Sequence, residues 1–467
     1  MNQYPVEKII TLQREWRLQT PHNFDVHGRR RRLEKLLHML DASTNELCAA
    51  LHADLGRPPA ESVLSEIIAV KAELTFTLKK LKKWARERYV APTLTTLFAR
   101  SGVRFDPKGN VLILSPWNYP VVLTLRPLIS AIAAGNSVVI KPSEHSPATA
   151  ALLAKLIAQT FDTYEVCCFV GGADIAQDLV KQPFDHIFFT GSSQVGKKIA
   201  EAAAQNLTTL SLELGGKCPV LLHDDVNIID AAEKISWGRF LNAGQTCLAP
   251  DYVLVPRLRC NAFIAGLQQA ILKRFYNASS YDENYGRIIN HTHHDRLTEL
   301  LNKAKAFGDE VVLAGDIDRE KKLIGPTIVI CRSMDSPLMK EELFGPILVV
   351  IAYESVSDAV AMIRAQPAPL CIYGFSHDSH VAKDSLATLP AGATVINDVL
   401  THYAHSGLPF GGVGASGFGR CNGRYGFEAF SNYRAIFQAM RFNPIKYMYA
   451  PYTEKKRQLI DFMHRFL

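Results

Sequence analysis

The sequence predicts an α/β protein, and three observations carry that prediction. Short apolar strands alternate with helices from Gly109 to Leu214, the alternation restarts after Gly215-Gly216, and a block of amphipathic helices precedes both. Such alternation implies parallel sheets covered by helices on both faces, with ligands bound outside the carboxyl ends of the strands. At 467 residues the chain is too long for one ordinary core, so two or three domains are expected.

The elements follow in order. Residues 1 to about 90 read as helices: Leu33, Leu36, Leu37 and Leu40 form one apolar stripe, and Ile67, Val70, Leu74, Leu78 and Leu81 form another. Val111 to Leu114 is a strand, and the helix Val121 to Ala134 stops at Gly135-Asn136. Strand Ser137 to Ile140 leads to Ser146-Pro147, an N-cap and an N1 proline before the helical stretch Ala148 to Ile157. Strand Val166 to Val170, helix Ala173 to Val180, strand His186 to Phe189, helix Val195 to Ala204 and strand Thr209 to Leu212 complete the first unit. In the second, strands at Tyr252 to Val255, Val311 to Leu313, Thr327 to Ile330, Ile347 to Ala352 and Thr394 to Ile396 are separated by helices such as Val356 to Ala365 and Val381 to Leu389.

Composition narrows the class. Lys and Arg number 52 against 45 Asp and Glu, a net charge of +7, with 48% hydrophobic and 21% charged residues, which excludes a disordered or collagen-like chain. The most apolar stretch, Val121 to Ile140, is broken by Arg126, Pro127, Gly135 and Asn136, so no membrane span is expected. Met1 to Arg14 has no apolar signal region, which makes the cytoplasm the default location. Nine cysteines without a CxxC pair read as reduced thiols, and Cys167 and Cys168 should point to opposite faces of a strand. The basic clusters Arg29 to Arg32 and Lys79 to Lys83 lie inside helical patterns and read as solvated faces rather than nucleic-acid sites.

Five segments place reactive or conformationally special residues at joints of the pattern. In Ser115-Pro116-Trp117-Asn118-Tyr119-Pro120, Asn118 either caps the next helix or turns its amide into a cleft as an oxyanion donor. Lys141-Pro142-Ser143-Glu144 follows a strand, where a nucleotide-binding sheet offers a carboxylate to a ribose; a solvated ion pair is the other reading. Phe189 to Gly196 is a strand, a glycine turn and a helix start suited to a pyrophosphate, although Gly191 and Gly196 do not make G-x-G-x-x-G. Glu213-Leu214-Gly215-Gly216-Lys217 ends a strand with a carboxylate. Asn242-Ala243-Gly244-Gln245-Thr246-Cys247 puts a thiol in a turn, and a thiol with a separate carboxylate and an amide donor suits covalent catalysis through a thioester.

GQTC around Cys247, ELGGK from Glu213, FTGSxxVG from Phe189, PWNYP from Pro116, KPSE from Lys141, EELFGP from Glu341 and LPFGGVGxSGFG from Leu408 together resemble the aldehyde dehydrogenase superfamily, in the family order and across nearly the whole chain. The wording NAGQTCLAPDY and LPFGGVGASGFGRCNGRYGFEAFS is most similar to the class 3 branch, which includes fatty, aromatic and coniferyl aldehyde enzymes. The resemblance implies Cys247 as nucleophile, Asn118 with the Cys247 N–H as oxyanion hole and Glu213 as the base that hydrolyses the thioester. It further implies cofactor contacts from Trp117, Lys141, Glu144, Gly191, Ser192, Gly196, Glu342 and Phe344, with NAD favoured over NADP because Glu144 suits a 2′-hydroxyl, NADP staying open.

On the same resemblance, residues 1–88 and 108–212 form a Rossmann-like cofactor domain and 213–418 a second, catalytic α/β domain. Residues 89–107 and 419–445 form a small β oligomerisation element, 446–467 a tail, and the assembly is a homodimer acting on a small-molecule aldehyde. A CoA-acylating enzyme and a catalytically silent binding protein are the alternatives; Glu213 argues against the first, and the presence of Asn118, Glu213 and Cys247 against the second. No metal is expected: His291, His293, His294 and Asp295 match no ligand spacing and read as a helix start. His402 and His405 fall in the family's substrate-mouth loop, and Tyr119, Phe240 and Tyr403 hint at an apolar tunnel. The amphipathic stretch Lys455 to Leu467, which has no hydrophobic anchor after it, suits a subunit surface or peripheral contact with an anionic membrane.

Overall fold

The computed structural model describes residues 5–93, 96–276, 284–442 and 444–466. Leu467, Met1 and residues 94 and 95 of the extended Thr93 to Phe105 segment therefore lie outside the described residues. Four N-terminal helices, α1 (Val6–Gln19), α2 (Val26–Ala42), α3 (Thr44–Leu55) and α4 (Ile68–Trp84), lead to strands β1 (Arg88–Val90) and β2 (Ala99–Pro107). The first alternating unit runs β3 (Asn110–Leu114), α5 (Val122–Ala134), β4 (Ser137–Lys141), α6 (Pro147–Thr160), β5 (Val166–Cys168), α7 (Ala173–Val180), β6 (His186–Gly191), α8 (Ser193–Ala204) and β7 (Thr209–Leu214). The second runs β8 (Cys218–Leu222), α9 (Ile228–Phe240), β9 (Pro250–Pro256), α10 (Cys260–Ile271), α11 (His291–Phe307), β10 (Glu310–Leu313), β11 (Thr327–Ile330), β12 (Ile347–Tyr353), α12 (Val356–Arg364), β13 (Cys371–Phe375), α13 (Ser379–Leu386) and β14 (Ala393–Ile396). The chain closes with β15 (Gly417–Phe418), α14 (Gly423–Ala429), β16 (Ser431–Ala439) and α15 (Glu454–Phe466).

These strands build three sheets. The first has the order β15-β7-β6-β3-β4-β5, parallel except for β15, and the second the order β10-β11-β12-β9-β8-β13-β14, parallel except for β10. Both are the predicted helix-covered parallel sheets, and their strands are almost wholly buried apolar runs. The third sheet, β1-β2-β16, is an antiparallel ribbon in which β2 pairs with β16 from Ala99 to Pro107. Tyr433, Phe437 and Tyr89 leave large apolar surfaces exposed on this ribbon.

Several local expectations change. Arg29 and Arg32 are not on a solvated face: both are buried, Arg29 donating to the Phe24 carbonyl at 2.6 Å and Arg32 to the Asn136 carbonyl at 3.0 Å. They occupy the carboxyl end of α5, where unsatisfied carbonyls attract cations. Gly135 ends that helix in the left-handed region at φ +93, as the sequence predicts. Ser146 does not cap α6; its hydroxyl turns to Ser143, and Asp54 from α3 accepts from Ala148 N at 3.0 Å, Thr149 N at 2.8 Å and Thr149 Oγ1 at 2.7 Å. A remote carboxylate has replaced the local hydroxyl because it satisfies two orphan N–H groups at once. Cys167 and Cys168 do face opposite ways, into separate apolar clusters.

Asp54→Ala should lower unfolding free energy by about 1 to 2 kcal/mol, since it removes a buried cap. Urea denaturation with an unchanged slope reads this directly; an unchanged midpoint would show that α6 does not need Asp54.

Candidate active site

Asn118 sits just beyond β3, where parallel strands present their carboxyl ends. It does not cap α5. That role falls to Glu66, whose Oε2 accepts from Val121 N at 2.7 Å and Val122 N at 2.9 Å. Asn118 is 3% exposed, and its Nδ2 donates one hydrogen to the Gln245 carbonyl at 3.0 Å, leaving the other for the cleft. Its own carbonyl accepts from Arg57 and from Asn242 Nδ2.

The thiol loop begins where α9 breaks. Asn242, Ala243 and Gly244 all take positive φ (52, 50 and 74°), a conformation L-residues adopt only under tertiary constraint. The constraint is visible: Gln245 donates to the Asn242 and Arg287 carbonyls at 3.0 and 2.9 Å and accepts from Ile289 N at 2.9 Å. A Cβ on Gly244 would lie 2.3 Å from the Gly345 carbonyl oxygen, so only glycine fits there. Cys247 emerges half-buried, whereas the other eight cysteines are buried. Desolvation, then the charges of Glu342 and Glu213, push its thiol well above the ordinary range.

Glu213 lies near the carboxyl end of β7, beside Gly417 of β15. It is 3% exposed, and neither carboxylate oxygen has a hydrogen-bond partner among the described residues. Burial holds its pKa well above the usual carboxylate range, only partly opposed by Arg420. An unpartnered buried carboxyl is costly to fold around, which makes Glu213 a candidate for chemistry. Glu342 is a second acid, half-buried and pushed up to about 8 by desolvation and Asp251. It lies across Gly215, where a Cβ would meet its Oε2 at 2.0 Å. Phe344 next to it holds φ 47° and meets Trp117 edge-on at 5.3 Å.

The remaining sequence-predicted residues line the carboxyl edge of the first sheet. Lys141 Nζ is 2.5 Å from Glu144 Oε2, and that contact helps hold the Glu144 carboxyl below its ordinary value against desolvation. Ser192 caps α8, accepting from Val195 N at 3.4 Å. Gly191 and Gly196 are places of close approach: a Cβ would stand 2.4 Å from Phe189 Cζ and 2.7 Å from Leu214 Cδ2. A helix start at the carboxyl end of β6 and a lysine and carboxylate pair at that of β4, with β3 between them, are features that could hold the pyrophosphate and ribose of a dinucleotide. In the histidine cluster, His294 Nε2 is 3.2 Å from the Leu323 carbonyl and His293 lies 5.3 Å from the Trp117 ring.

An apolar tunnel of about 220 Å³ ends at Cys247. Tyr119, Leu123, Trp237, Leu241, Leu400 and Tyr403 line it. Phe240 does not; it is 1% exposed and packs behind the wall on Phe275, because the helix turns Trp237 and Leu241 inward instead. Thr401, Tyr403 and Ala404 of the mouth loop reach the tunnel, while His402 stays beside it with both ring nitrogens buried and unpartnered among the described residues.

Sequence reasoning missed Arg57 and Glu66. Fully buried Arg57 pairs with Glu66, donates to Asn242 Oδ1 at 3.1 Å and lies 4.6 Å over the Tyr119 ring. The available signal was an acid in an apolar stripe: Glu66 shares its face with Val70, Glu73, Leu74 and Leu81.

The chain belongs to the aldehyde dehydrogenase family, whose model matches residues 6–436. It is an enzyme of that family, an aldehyde dehydrogenase. It is 40% identical to the 4,4'-diaponeurosporen-aldehyde dehydrogenase of Staphylococcus aureus, over 90% of this chain and 92% of that one. Aldehyde dehydrogenase family 3 member H1 of Arabidopsis thaliana is 38% identical over 92% and 88% of the two chains, and a probable coniferyl aldehyde dehydrogenase of Pseudomonas aeruginosa is 38% identical over 92% and 90%. The substrate-bound structure of Staphylococcus aureus AldH superposes with a TM-score of 0.93 at 37% identity, covering 99% of this chain and 100% of that one.

Native protein should take up one equivalent of iodoacetamide, at Cys247, and nine after denaturation. The native rate should climb with pH because the thiol is held above its ordinary range. Labelling of several thiols, or unchanged labelling of Cys247→Ala, would contradict the site.

Proposed function

We propose that the protein oxidises an aldehyde to its carboxylic acid through a thioester on Cys247. The observation that carries the reading is the neighbourhood of one half-buried thiol: Asn118 donates to the Gln245 carbonyl two residues before Cys247, and the unpartnered Glu213 carboxyl lies close enough to raise that thiol. Cys247 loses its proton and its sulfur bonds to the aldehyde carbon. Asn118 Nδ2 and the Cys247 N–H hold the resulting oxyanion, one donor contributing about 3 kcal/mol. A bound dinucleotide supplies the hydride acceptor. Loss of hydride leaves the thioester, and Glu213 takes a proton from water so that hydroxide attacks the acyl carbon and the acid leaves.

Lys141 and Glu144 would hold the adenosine ribose, Gly191, Ser192 and the start of α8 around Gly196 the pyrophosphate, and Glu342, Phe344 and Trp117 the nicotinamide end. NAD is the favoured partner, because the Glu144 carboxylate accepts from a 2′-hydroxyl and repels a 2′-phosphate. The apolar, aromatic tunnel suits a fatty or aromatic aldehyde, coniferyl-type included. Residues 1–88 with 108–212 would act as cofactor domain and 213–418 as catalytic domain, with the exposed ribbon of 89–107 and 419–445 as a homodimer surface. No described helix is long and apolar enough to cross a membrane. The tail carries exposed Leu459, Ile460 and Phe462 among Lys455, Lys456 and Arg457, which suits a subunit surface or an anionic membrane surface.

Absorbance of NADH and NADPH with aliphatic, cinnamyl-type and semialdehyde substrates, each with and without coenzyme A, tests the reading. Turnover without coenzyme A is expected; turnover only with it would overturn the role of Glu213. Glu213→Gln should give a burst of NADH near one equivalent and then slow turnover, at least about tenfold below wild type; a normal steady rate would contradict deacylation by Glu213.

The pH profile has a definite sign. A carboxyl whose pKa is raised stays protonated, and so is no base, through the ordinary carboxylate range. Where deacylation limits turnover, kcat should therefore rise with pH above the ordinary carboxylate range rather than within it; a profile flat from about pH 5 to about pH 9 would contradict it.

A further inference from the structure

The lysine cluster at the end of α4 is divided between two environments. Lys79 and Lys82 are exposed away from the cavity of about 500 Å³ that half-buried Lys80 and the exposed Lys83, Arg86 and Arg88 line. None of these four cations makes an ion pair among the described residues. Arg424 at the rim is already neutralised by Glu428 at 2.6 Å. Among the described residues Glu87 is the single acid lining this cavity, so the four unpaired cations leave it a net charge of +3.

The cavity floor is aromatic. Phe76, Trp84 and Phe105 form it, with Trp84 8% exposed and its ring 5.7 Å from Phe76 and 6.0 Å from Phe427. Phe105 in turn sits 5.6 Å from Phe427, so the floor is anchored in the core rather than formed by loose surface rings. Cations gathered in one concavity repel one another, and a solvated face would spread them. Rings beneath them offer an apolar body a place that water does not use well.

We propose that this cavity binds an amphipathic anion, a ligand with one phosphate or carboxylate head and an apolar body. The head would neutralise Lys80, Lys83, Arg86 and Arg88, and the body would lie on Phe76, Trp84 and Phe105. The site is separate from the substrate tunnel but adjoins it through shared elements. Ser65 and Ala69 face the tunnel about two to three turns before the part of α4 that lines this cavity. Thr401, Tyr403 and Ala404 reach the tunnel, and Gly407 of the same segment reaches the cavity.

Calorimetry with dodecyl phosphate and dodecanoate, and with dodecanol as neutral control, tests the proposal on the intact protein. Wild type should bind dodecyl phosphate at least tenfold more tightly than Lys80→Gln/Lys83→Gln does, and the preference over dodecanol should fall as salt rises. Arg86→Gln/Arg88→Gln should show the same loss, so that one poorly folded variant cannot decide the matter. Oxidation of hexanal should be unchanged in both variants.

Sedimentation with phosphatidylcholine vesicles, with and without phosphatidic acid, separates the two sources of such an anion. Co-sedimentation that needs phosphatidic acid and is lost in both variants assigns a lipid headgroup to the cavity, whereas co-sedimentation the variants retain belongs to the tail; binding of the soluble amphiphile alone assigns a free ligand. Equal affinity in wild type and both variants, dodecanol binding as tight as dodecyl phosphate, or binding in neither format would overturn the proposal.

Discussion

Everything at the catalytic end of this molecule hangs from one buried ion pair, Arg57 with Glu66. Arg57 is fully buried and spends its donors on three different parts of the chain: Glu66, the Asn118 carbonyl and Asn242 Oδ1. Glu66 in turn caps α5 through Val121 N and Val122 N. Glu61 completes the cluster by accepting from Asn242 N at 2.8 Å. One guanidinium thus fixes the distance between the amide-bearing loop after β3 and the strained turn that delivers the thiol. Against a well-packed apolar substitute such a pair gains little stability, and removing one partner costs about 3 to 5 kcal/mol. Its value is positional, because oxyanion donors act only when held within about 0.5 Å of where charge develops.

The two parallel sheets supply the rest of the geometry. Glu213 comes from the carboxyl end of β7 in the first sheet, and the thiol loop leaves α9, which packs on the second. Their electrostatics are mutually unfavourable: Glu213 and Glu342 both raise the Cys247 thiol, and burial raises all three groups. Desolvation thus favours the uncharged form of each group, which makes gathering three acids in one place tolerable.

Much of this was legible. Strand Thr327–Ile330 and helix Ala173–Val180 are where the apolar pattern places them, and the five chemistry-bearing segments do fall at the joints of β-α units. The family motifs pointed to Cys247 and Glu213, and the structure brings the two within electrostatic reach of each other. Strands β8 and β13 were missed, because Pro219 and Gly374 interrupt short runs that their fully buried position nevertheless tolerates. Strand β15 was missed because two residues carry no period. Interactions across long sequence separations were invisible: Asp54 capping α6, Arg29 and Arg32 closing α5, and Arg57 reaching Asn242 depend on tertiary proximity that no local pattern encodes. Phe240 failed for a smaller reason, since helix phase rather than residue type decides which side chain faces a tunnel.

The most direct test of the positional role is the double variant Arg57→Met/Glu66→Gln, with stability and acylation measured on the same preparation. Removing both charges together should leave unfolding free energy within about 2 kcal/mol of wild type. The account predicts that the rate of the first NADH burst nevertheless falls by about tenfold to a hundredfold, because Asn118 and the Cys247 turn lose their common anchor. A folded double variant with a wild-type burst rate would contradict it.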